Sequence, residues 1–229
     1  LTGIHVEIDG ENVKLTATDR FRLAQRHLTW DPTSPDVKAD LLVPAKTLLD
    51  NARTLDTSID DPVELAAGAA DNIGGDGLFG LHTGNRETTT RMLDADFPNV
   101  APLLPKTHTA IASVEVAPLL ESIRRVSLVA DRSTPIHMSF TQGNLELDAG
   151  QGDDAQATEQ LVAHLEGDDI STAFNPGYLL DGLGALNQPY VRLDFTHASK
   201  PAVLTGMDSI GGTEDSSFRY LLMPIRFGA

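Results

Sequence analysis

The sequence has no cysteine, and this absence excludes disulfide bonds, thiolate metal sites and catalysis by a thiol. It also has no apolar run of about 18 residues, so the sequence predicts no membrane-spanning helix. The first five residues show no basic region followed by an apolar stretch, and we therefore expect no signal peptide. Together these absences favour a cytoplasmic protein.

Basic residues are scarce in the chain. It carries 17 Lys and Arg against 33 Asp and Glu, which gives a formal net charge of −16. Proteins that bind nucleic acid usually have a basic surplus, so the total charge argues at first sight against this class. Much of the acid, however, lies in residues 56–76 and 152–169. A mostly acidic body can still contain a local basic surface, and the total charge does not decide the question.

Motifs for catalysis or metal binding are also missing. Residues 75–80 fit the G-x-G-x-x-G pattern, but a loop precedes them and a strand follows, so they are interpreted as a hairpin loop. The seven histidines show no H-E-x-x-H spacing, and the chain has no G-x-S-x-G motif. We therefore expect no metal, no cofactor and no catalytic residue.

Three pairs of adjacent acids leave one enzymatic alternative open. They are Asp60-Asp61, Asp153-Asp154 and Asp168-Asp169. Their loop-like surroundings favour solvated turns over paired catalytic carboxylates. A hydrolase that used these pairs would instead lose turnover on Asp60→Asn or Asp153→Asn.

The two halves of the chain share a pattern, which indicates an internal repeat. Three short matches recur in order at offsets of 131 or 132 residues: 12–17 with 144–149, 48–50 with 179–181, and Met92 with Met223. We therefore predict two copies of one domain, over residues 1–106 and 107–229. On this arithmetic the first copy lacks about 25 residues at its start, a strand and a helix, and the chain is expected to be a fragment.

Periodicity and turn signals predict the elements of each copy. In the first copy, we expect a hairpin of strands 3–8 and 13–18, a helix over 44–55 with Leu48, Ala52 and Leu55 buried, strands 64–67, 77–82 and 88–93, and a stiff linker over 97–106. In the second, we expect strand 109–113, helix 116–129, strands 136–140, 144–149 and 160–165, a helix from Asn175-Pro176 to 186, and strands 191–195, 202–205 and 220–227. This is an α+β fold of repeated domains, each with helices packed on antiparallel sheets.

Two stretches are unusual for ordinary core strands. The segment 220–227 is apolar and ends the chain, yet Pro224 cannot donate to a sheet and marks an edge or a strand end. It is either a strand that closes a sheet or one wall of an exposed apolar groove for another protein. The other stretch is 18–24, where Asp19 predicts a tight turn or a bulge.

Several cations lie away from the apolar stripes of the predicted helices. Lys46 and Arg53 share one face of the first helix, and Arg124 and Arg125 point away from the stripe of Leu119, Ile123 and Val126. These are either solvated helix faces or a strip of charge turned toward phosphate.

Five motifs carry a resemblance to a known family. They are Thr18-Asp19 with Arg22-Leu23-Ala24, Val43-Pro44 with Lys46, Asp94 with Phe97-Pro98, Phe174-Asn175 with Tyr178, and Tyr220 with Met223-Pro224 and Arg226. In this order they resemble the bacterial sliding clamp, the beta subunit of DNA polymerase III. The resemblance covers the whole chain and corresponds to the middle and C-terminal domains of that family.

The resemblance implies the DNA clamp fold: a head-to-tail homodimer that closes a ring of six similar domains around duplex DNA, with helices lining the hole. It implies a non-catalytic processivity factor whose Lys46, Arg124 and Arg125 face DNA and contact phosphate without reading sequence. With one domain of the subunit absent, the chain alone is expected not to close the ring.

The resemblance also implies a partner groove for short segments that carry a glutamine and a Leu-Phe pair. Its residues here would be Leu1, Thr18, Arg22, Leu23, Pro98, Leu103, Asn175, Tyr178, Pro201, Leu222, Met223, Pro224, Ile225 and Arg226. The implied partners are the polymerase III alpha subunit, the clamp loader, other polymerases and repair proteins. Departures at Arg20-Phe21, Pro102 and Pro201 affect the rim of this groove. The alternative is a β-rich protein-binding module unrelated to DNA, in which changes at Met223 have no effect.

Overall fold

The structure, a computed structural model, describes residues 2–55, 62–67, 77–129, 134–150 and 156–225. The chain divides into two compact units. The first comprises residues 1–18 and 25–99, and the second comprises residues 19–24 and 100–229. The boundary between residues 106 and 107 that the repeat suggested stays a prediction.

In its described residues, the first unit contains two sheets and one helix. Its elements are β1 (Gly3–Asp9), β2 (Asn12–Thr18), β3 (Arg22–Thr29, whose first three residues belong to the second unit), β4 (Lys38–Pro44), α1 (Ala45–Ala52), β5 (Glu64–Ala67), β6 (Leu78–Thr83) and β7 (Arg86–Arg91). One sheet has the order β3-β2-β1-β4 and the other the order β5-β6-β7.

The predicted hairpin at the start of the chain is confirmed. β1 and β2 are antiparallel and joined by a two-residue turn, in which Gly10 has a φ of 57° that favours glycine. Alternate side chains of both strands point to one face, where Val6, Ile8 and Val13 are buried together with residues of β4 and β6.

The predicted buried stripe of the first helix is wrong in part. Leu48 packs against the core of the first unit, but Ala52 and Leu55 are exposed, and α1 ends at Ala52. The packed face instead includes Asn51, whose Oδ1 accepts a hydrogen bond of 2.8 Å from Thr88 Oγ1. Leu48 and Asn51, three residues apart, therefore face the unit, whereas Ala52 and Leu55 do not.

The described part of the second unit contains two α-helices and an eight-stranded sheet. Its elements are β8 (Ala110–Glu115), α2 (Val116–Val126), β9 (Ile136–Thr141), β10 (Asn144–Ala149), β11 (Ala157–Gly167), β12 (Ile170–Phe174), α3 (Pro176–Ala185), β13 (Tyr190–Phe195), β14 (Ala202–Met207) and β15 (Glu214–Leu222), with short 3-10 helices at Ala101–Leu103 and Ser127–Val129. The strand order is β12-β9-β10-β11-β8-β13-β14-β15.

The core of the second unit lies between its helices and its sheet. The predicted stripe of α2 is confirmed, because Leu119, Ile123 and Val126 are all buried there. The predicted start of α3 is also confirmed: Asn175 Oδ1 accepts a hydrogen bond of 3.1 Å from the backbone N–H of Tyr178, with Pro176 as the first helical residue.

The order of elements supports the repeat. The series β1-β2-β3-β4-α1-β5-β6-β7 in the first unit matches β9-β10-β11-β12-α3-β13-β14-β15 in the second. Among the residues described, β8 and α2 have no counterpart in the first unit. The α+β class inferred from the sequence is confirmed.

The last strand differs from the prediction. β15 covers residues 214–222 and ends before Met223, whereas the apolar pattern predicted a strand over 220–227. Residues 219–222 pair with 202–205 of β14, and of the polar first half Glu214 pairs with Met207 beyond an irregularity in the register. Pro224, two residues after the strand, has no N–H to donate. Strands β3, β4 and β12 were not predicted. Within the described part of the chain, no helix has the length and apolar character that crossing a membrane requires.

Candidate functional site

The residues assigned to the groove fall into three groups: those in the first unit, those in the second unit and those outside the described residues. Thr18 and Pro98 belong to the first unit, and Leu1 and Arg226 lie outside the described residues. The second unit holds Arg22, Leu23, Leu103, Asn175, Tyr178, Pro201, Leu222, Met223, Pro224 and Ile225. Its contacts bring together the segment 19–24, the start of α3 and the end of β15.

A tight turn at Asp19 positions this segment, as the sequence predicted. Asp19 Oδ1 accepts hydrogen bonds of 3.1 Å from the backbone N–H groups of both Phe21 and Arg22. Arg20 between them has a φ of 77°, in the left-handed region. Partial burial raises the pKa of Asp19, but the hydrogen bonds from Arg22 and Phe21 outweigh it and lower the pKa below its ordinary value.

The Arg22 guanidinium is fixed by four groups. Its Nε donates to Asp19 Oδ2 at 2.9 Å, and its Nη1 donates to Asp181 Oδ2 at 2.6 Å and to the Tyr220 hydroxyl at 3.4 Å. Its central carbon lies 4.3 Å from the centroid of the Tyr178 ring. Partial burial lowers the pKa of Arg22, but the bond to Asp181 and the others raise it overall, so the side chain stays charged.

Helix α3 and β15 meet at Tyr220. The Tyr220 hydroxyl donates a hydrogen bond of 2.9 Å to the carbonyl of Tyr178, and its ring lies against Gly182, where a Cβ atom would overlap it. Burial raises the pKa of the Tyr220 phenol. The aromatic side chains of this region are thereby held against the helix.

The segment 223–225 joins the same region by backbone hydrogen bonds. The N–H of Met223 donates to the carbonyl of Phe21, and the N–H of Ile225 donates to the carbonyl of Ala173, both at 2.8 Å. The side chains of Met223, Pro224 and Ile225 are half-buried and can meet a ligand.

Not every residue assigned to the groove reaches its surface. Leu23 and Leu222 are 1% and 0% exposed, so they belong to the core and support the surface from below. Leu103 is exposed on the 3-10 helix, and Pro201 precedes β14 at the strand end that pairs with Leu222.

Sequence reasoning missed three members of this site. Asp181 was noticed only as part of a repeated Leu-Leu-Asp pattern, and Tyr220 only as part of a motif. Phe21 is 57% exposed and its ring centroid lies 6.1 Å from that of Tyr178. An exposed phenylalanine beside a turn is a signal that the sequence does carry, since large exposed aromatics are enriched where proteins bind one another.

The cations assigned to DNA differ in their surroundings. Lys46 is exposed on α1 and pairs with Asp50, one helical turn away. Arg124 is exposed on α2 and forms no ion pair among the residues described. Arg125 instead binds Glu159 on β11 through two hydrogen bonds, Nε to Oε1 at 2.6 Å and Nη2 to Oε2 at 2.7 Å. These bonds lower the pKa of Glu159 to about 2.

The other candidates from the sequence gain no support as sites. Asp60-Asp61 and Asp153-Asp154 lie outside the described residues, and Asp168-Asp169 are exposed in the turn between β11 and β12. Of residues 75–80, the described ones form the start of β6. No group of three or more His, Asp or Glu in the described ranges could hold a metal ion.

Comparison with known proteins identifies the class. The model of the DNA polymerase III beta subunit, central domain, matches residues 1–99, and the model of its C-terminal domain matches residues 101–226. The chain therefore belongs to the DNA polymerase III beta subunit family. This membership does not favour the alternative of a module unrelated to DNA.

The names of similar proteins agree with this family assignment. The chain is 47% identical over 226 residues to the beta sliding clamp of Streptomyces coelicolor and 44% identical over 227 residues to the beta sliding clamp homolog GriR of Streptomyces muensis. Each alignment covers 99% of this chain and 59% of the relative, so the chain spans less than two thirds of the length of these relatives.

Solved structures confirm the clamp fold. The DNA polymerase III subunit beta of Pseudomonas aeruginosa has a TM-score of 0.85 at 26% identity, with 99% of this chain and 58% of that chain covered. A second structure of the sliding clamp from the same organism, bound to griselimycin, has a TM-score of 0.85 at 25% identity, with coverage of 99% and 57%.

Proposed function

We propose that the chain is part of a sliding clamp, a non-catalytic processivity factor that encircles duplex DNA and tethers DNA polymerase III and other proteins to it in the cytoplasm. The observation that carries the proposal is the match of consecutive family domains over residues 1–99 and 101–226. Such a protein needs to catalyse no reaction. The closed ring keeps it on DNA while short peptides of its partners exchange on its surface.

The second unit supports the partner-binding part of the proposal. Tyr178, Phe21 and the chain end from Met223 to Ile225 form a mainly apolar surface with fixed backbone. Methionine adapts its shape to different apolar side chains, which suits a site that several partners share. We expect peptides with a glutamine and a Leu-Phe pair to bind with a Kd of about 1 μM, weak enough for exchange.

Two cations support the DNA-binding part. Lys46 and Arg124 are exposed long side chains on helices, and such side chains contact phosphate without reading sequence. Arg125, assigned to DNA by the resemblance, is committed to Glu159 and contributes less.

Strand β11 supports pairing with a second subunit in a head-to-tail dimer. Among the described residues, 157–162 pair with β10 alone, which leaves one edge of this stretch open. Two apolar side chains of the second unit are strongly exposed, Val162 on this stretch at 82% and Leu128 on the 3-10 helix after α2 at 84%. An open strand edge with exposed apolar side chains favours contact with another chain.

Fluorescence anisotropy with a labelled peptide that carries Gln and Leu-Phe tests the proposal. We expect the unmutated chain to bind it and Met223→Asp to weaken binding by more than about 30-fold, because a charge would replace an apolar contact. Leu128→Asp is the control, since it places the same charge at an exposed apolar residue away from α3, and it should bind normally. No binding by the unmutated chain would refute the proposal.

A further inference from the structure

A cleft separate from the surface of Phe21 and Tyr178 opens on the second unit beside β12. Its volume is about 350 Å³, and its lining includes His137, Ser139, Ser171, Thr172, Ser199 and Ile225. None of the described residues that line it is Asp, Glu, Lys or Arg, although the chain as a whole carries a net charge of −16. The described lining therefore lacks carboxylate, ammonium and guanidinium groups, and four of its residues carry a hydroxyl.

The backbone of β12 faces this cleft. β12 is the last strand of its sheet and pairs with β9 on one side. The Ala173 carbonyl accepts from the N–H of Ile225, so the polar backbone groups of Ala173 point away from β9. In an antiparallel strand this direction alternates, and the N–H and C=O of Ser171 therefore point the same way.

The side chains agree with this register. Ser171 is opposite Ser139 on β9, and the two hydroxyl oxygens are 2.9 Å apart in a hydrogen bond. Such close side chains are typical of an antiparallel pair that exchanges no backbone hydrogen bonds, which again leaves the Ser171 backbone groups free to point outward. Each hydroxyl can also accept further hydrogen bonds, since an oxygen has two lone pairs.

We propose that this cleft binds the main chain of a partner peptide just beyond its apolar anchors, as a short added strand that pairs with the outward N–H and C=O of Ser171, next to the bond that Ile225 already makes to Ala173. An uncharged hydrogen-bonding side chain of that flank, an amide or a hydroxyl, lies among Ser139, Ser171 and Ser199. The inference rests on the proposed function, because Ile225 belongs both to the groove residues and to the cleft. Addition of a strand supplies affinity through main-chain bonds, and the pocket supplies selectivity.

Two peptides and a matched pair of variants test the proposal by anisotropy. The short peptide carries only Gln and Leu-Phe, and the long one adds four uncharged polar residues on one flank, with both flanks tried. We expect the better long peptide to bind the unmutated chain about fivefold to tenfold more tightly than the short one. Ser171→Pro removes the outward N–H without breaking a bond to β9, so it should abolish this gain and leave the short peptide unchanged. Ser171→Ala keeps the N–H and should keep part of the gain.

The outcomes separate the cleft from the groove. If the short peptide binds but neither long peptide gains affinity, the cleft proposal is overturned and the proposed function stands. A gain that survives Ser171→Pro also overturns it, as does a gain that appears only after residues 226–229 are removed. If no peptide binds, both proposals fail. Should Ser171→Pro unfold the unit by circular dichroism, Ser171→Tyr, which fills the cleft, must abolish the gain instead.

Discussion

Arg22 is the residue on which the candidate site depends most. Its guanidinium is shared between the carboxylates of Asp19 and Asp181 and lies over the ring of Tyr178. Without this cation, two acids would face each other beside the Tyr220 hydroxyl. The planar fork of arginine can serve two carboxylates and stack on a ring at once, which a lysine ammonium cannot.

Arg22→Lys should therefore be harmful although it keeps the charge. We expect a loss of about 1 kcal/mol in the free energy of unfolding, because hydrogen bonds to charged groups contribute about that much or more. Peptide affinity should fall at least about fivefold, since the segment 19–24 loses its fixed position. Urea denaturation and anisotropy measure the two effects. Arg53→Lys, at an exposed arginine after α1, is the control, and equal behaviour of the two variants would contradict the argument.

Glu159 gives a second test at the scale of one residue. Its pKa of about 2 is set first by the hydrogen bonds from Arg125 and then by Ser122. Because the folded pKa lies below the ordinary value of 4.5, the ionised carboxylate stabilises the fold above about pH 4.5, and this contribution is lost as the pH falls toward 2.

Arg125→Gln should raise the pKa of Glu159 toward 4.5, as measured by NMR titration of the carboxylate. The neighbouring Arg124→Gln is the matched control and should leave the pKa of Glu159 near 2, because Arg124 is not bonded to it. A low pKa that persists without Arg125, or an equal shift in both variants, would show that another group holds the carboxylate.

At the scale of elements, two of the three glycines of α3 have opposite surroundings. Gly182 faces Tyr220, where an added Cβ would overlap the ring, while nothing lies within 4 Å of a Cβ at Gly184. Both residues lie within α3, Gly184 in its last turn, so an alanine has a similar backbone effect at each and the main difference is the space around the added Cβ.

Gly184→Ala should stabilise the second unit by about 0.5–1 kcal/mol, the helix preference of alanine over glycine. Gly182→Ala should instead destabilise it by about 1–3 kcal/mol, because overpacking displaces Tyr220 and breaks its bond to the Tyr178 carbonyl. Urea unfolding of both variants measures the difference. Stabilisation by both would mean that the ring of Tyr220 moves freely.

Elements with local signals were the predictable part of the fold. The hairpin of β1 and β2, the stripe of α2 and the cap at Asn175 depend on residues within a few positions of one another. The orientation of α1 depends on a bond between Asn51 and Thr88, 37 residues apart, and no local pattern contains it. β12 is five residues long with too few alternations to stand out, and polar residues open β15.

The candidate site also contains features that a local pattern predicts and features that depend on distant residues. The turn at Asp19 was predictable because an aspartate that bonds to the N–H groups following it is a local motif. The pairing of Arg22 with Asp181 joins residues 159 positions apart, so no local pattern contained it. The burial of Leu23 and Leu222 also could not be predicted, because the sequence does not distinguish an apolar residue in a groove wall from one in a core.

At the scale of the whole molecule, the proposed binding to DNA depends on where the charges lie. A net charge of −16 repels phosphate, so attraction must come from a few exposed cations. Of the three cations assigned to DNA, Arg125 is neutralised by two short hydrogen bonds to Glu159, whereas Lys46 has only an exposed pair with Asp50. Exposed pairs of this kind contribute little and exchange readily for another anion.

Duplex DNA should therefore bind the chain weakly, at low salt only and without sequence preference. With about two phosphates neutralised, by Lys46 and Arg124, a plot of log K against log salt concentration should have a slope of about −2. Arg124→Gln should reduce that slope by about 1, while Arg125→Gln should change it much less because that side chain is already paired. Anisotropy with two labelled duplexes of unrelated sequence measures the slope for each variant. An equal change of the slope in both variants would contradict the argument that Arg124 contacts phosphate and Arg125 does not. A preference for one duplex would contradict binding without sequence preference.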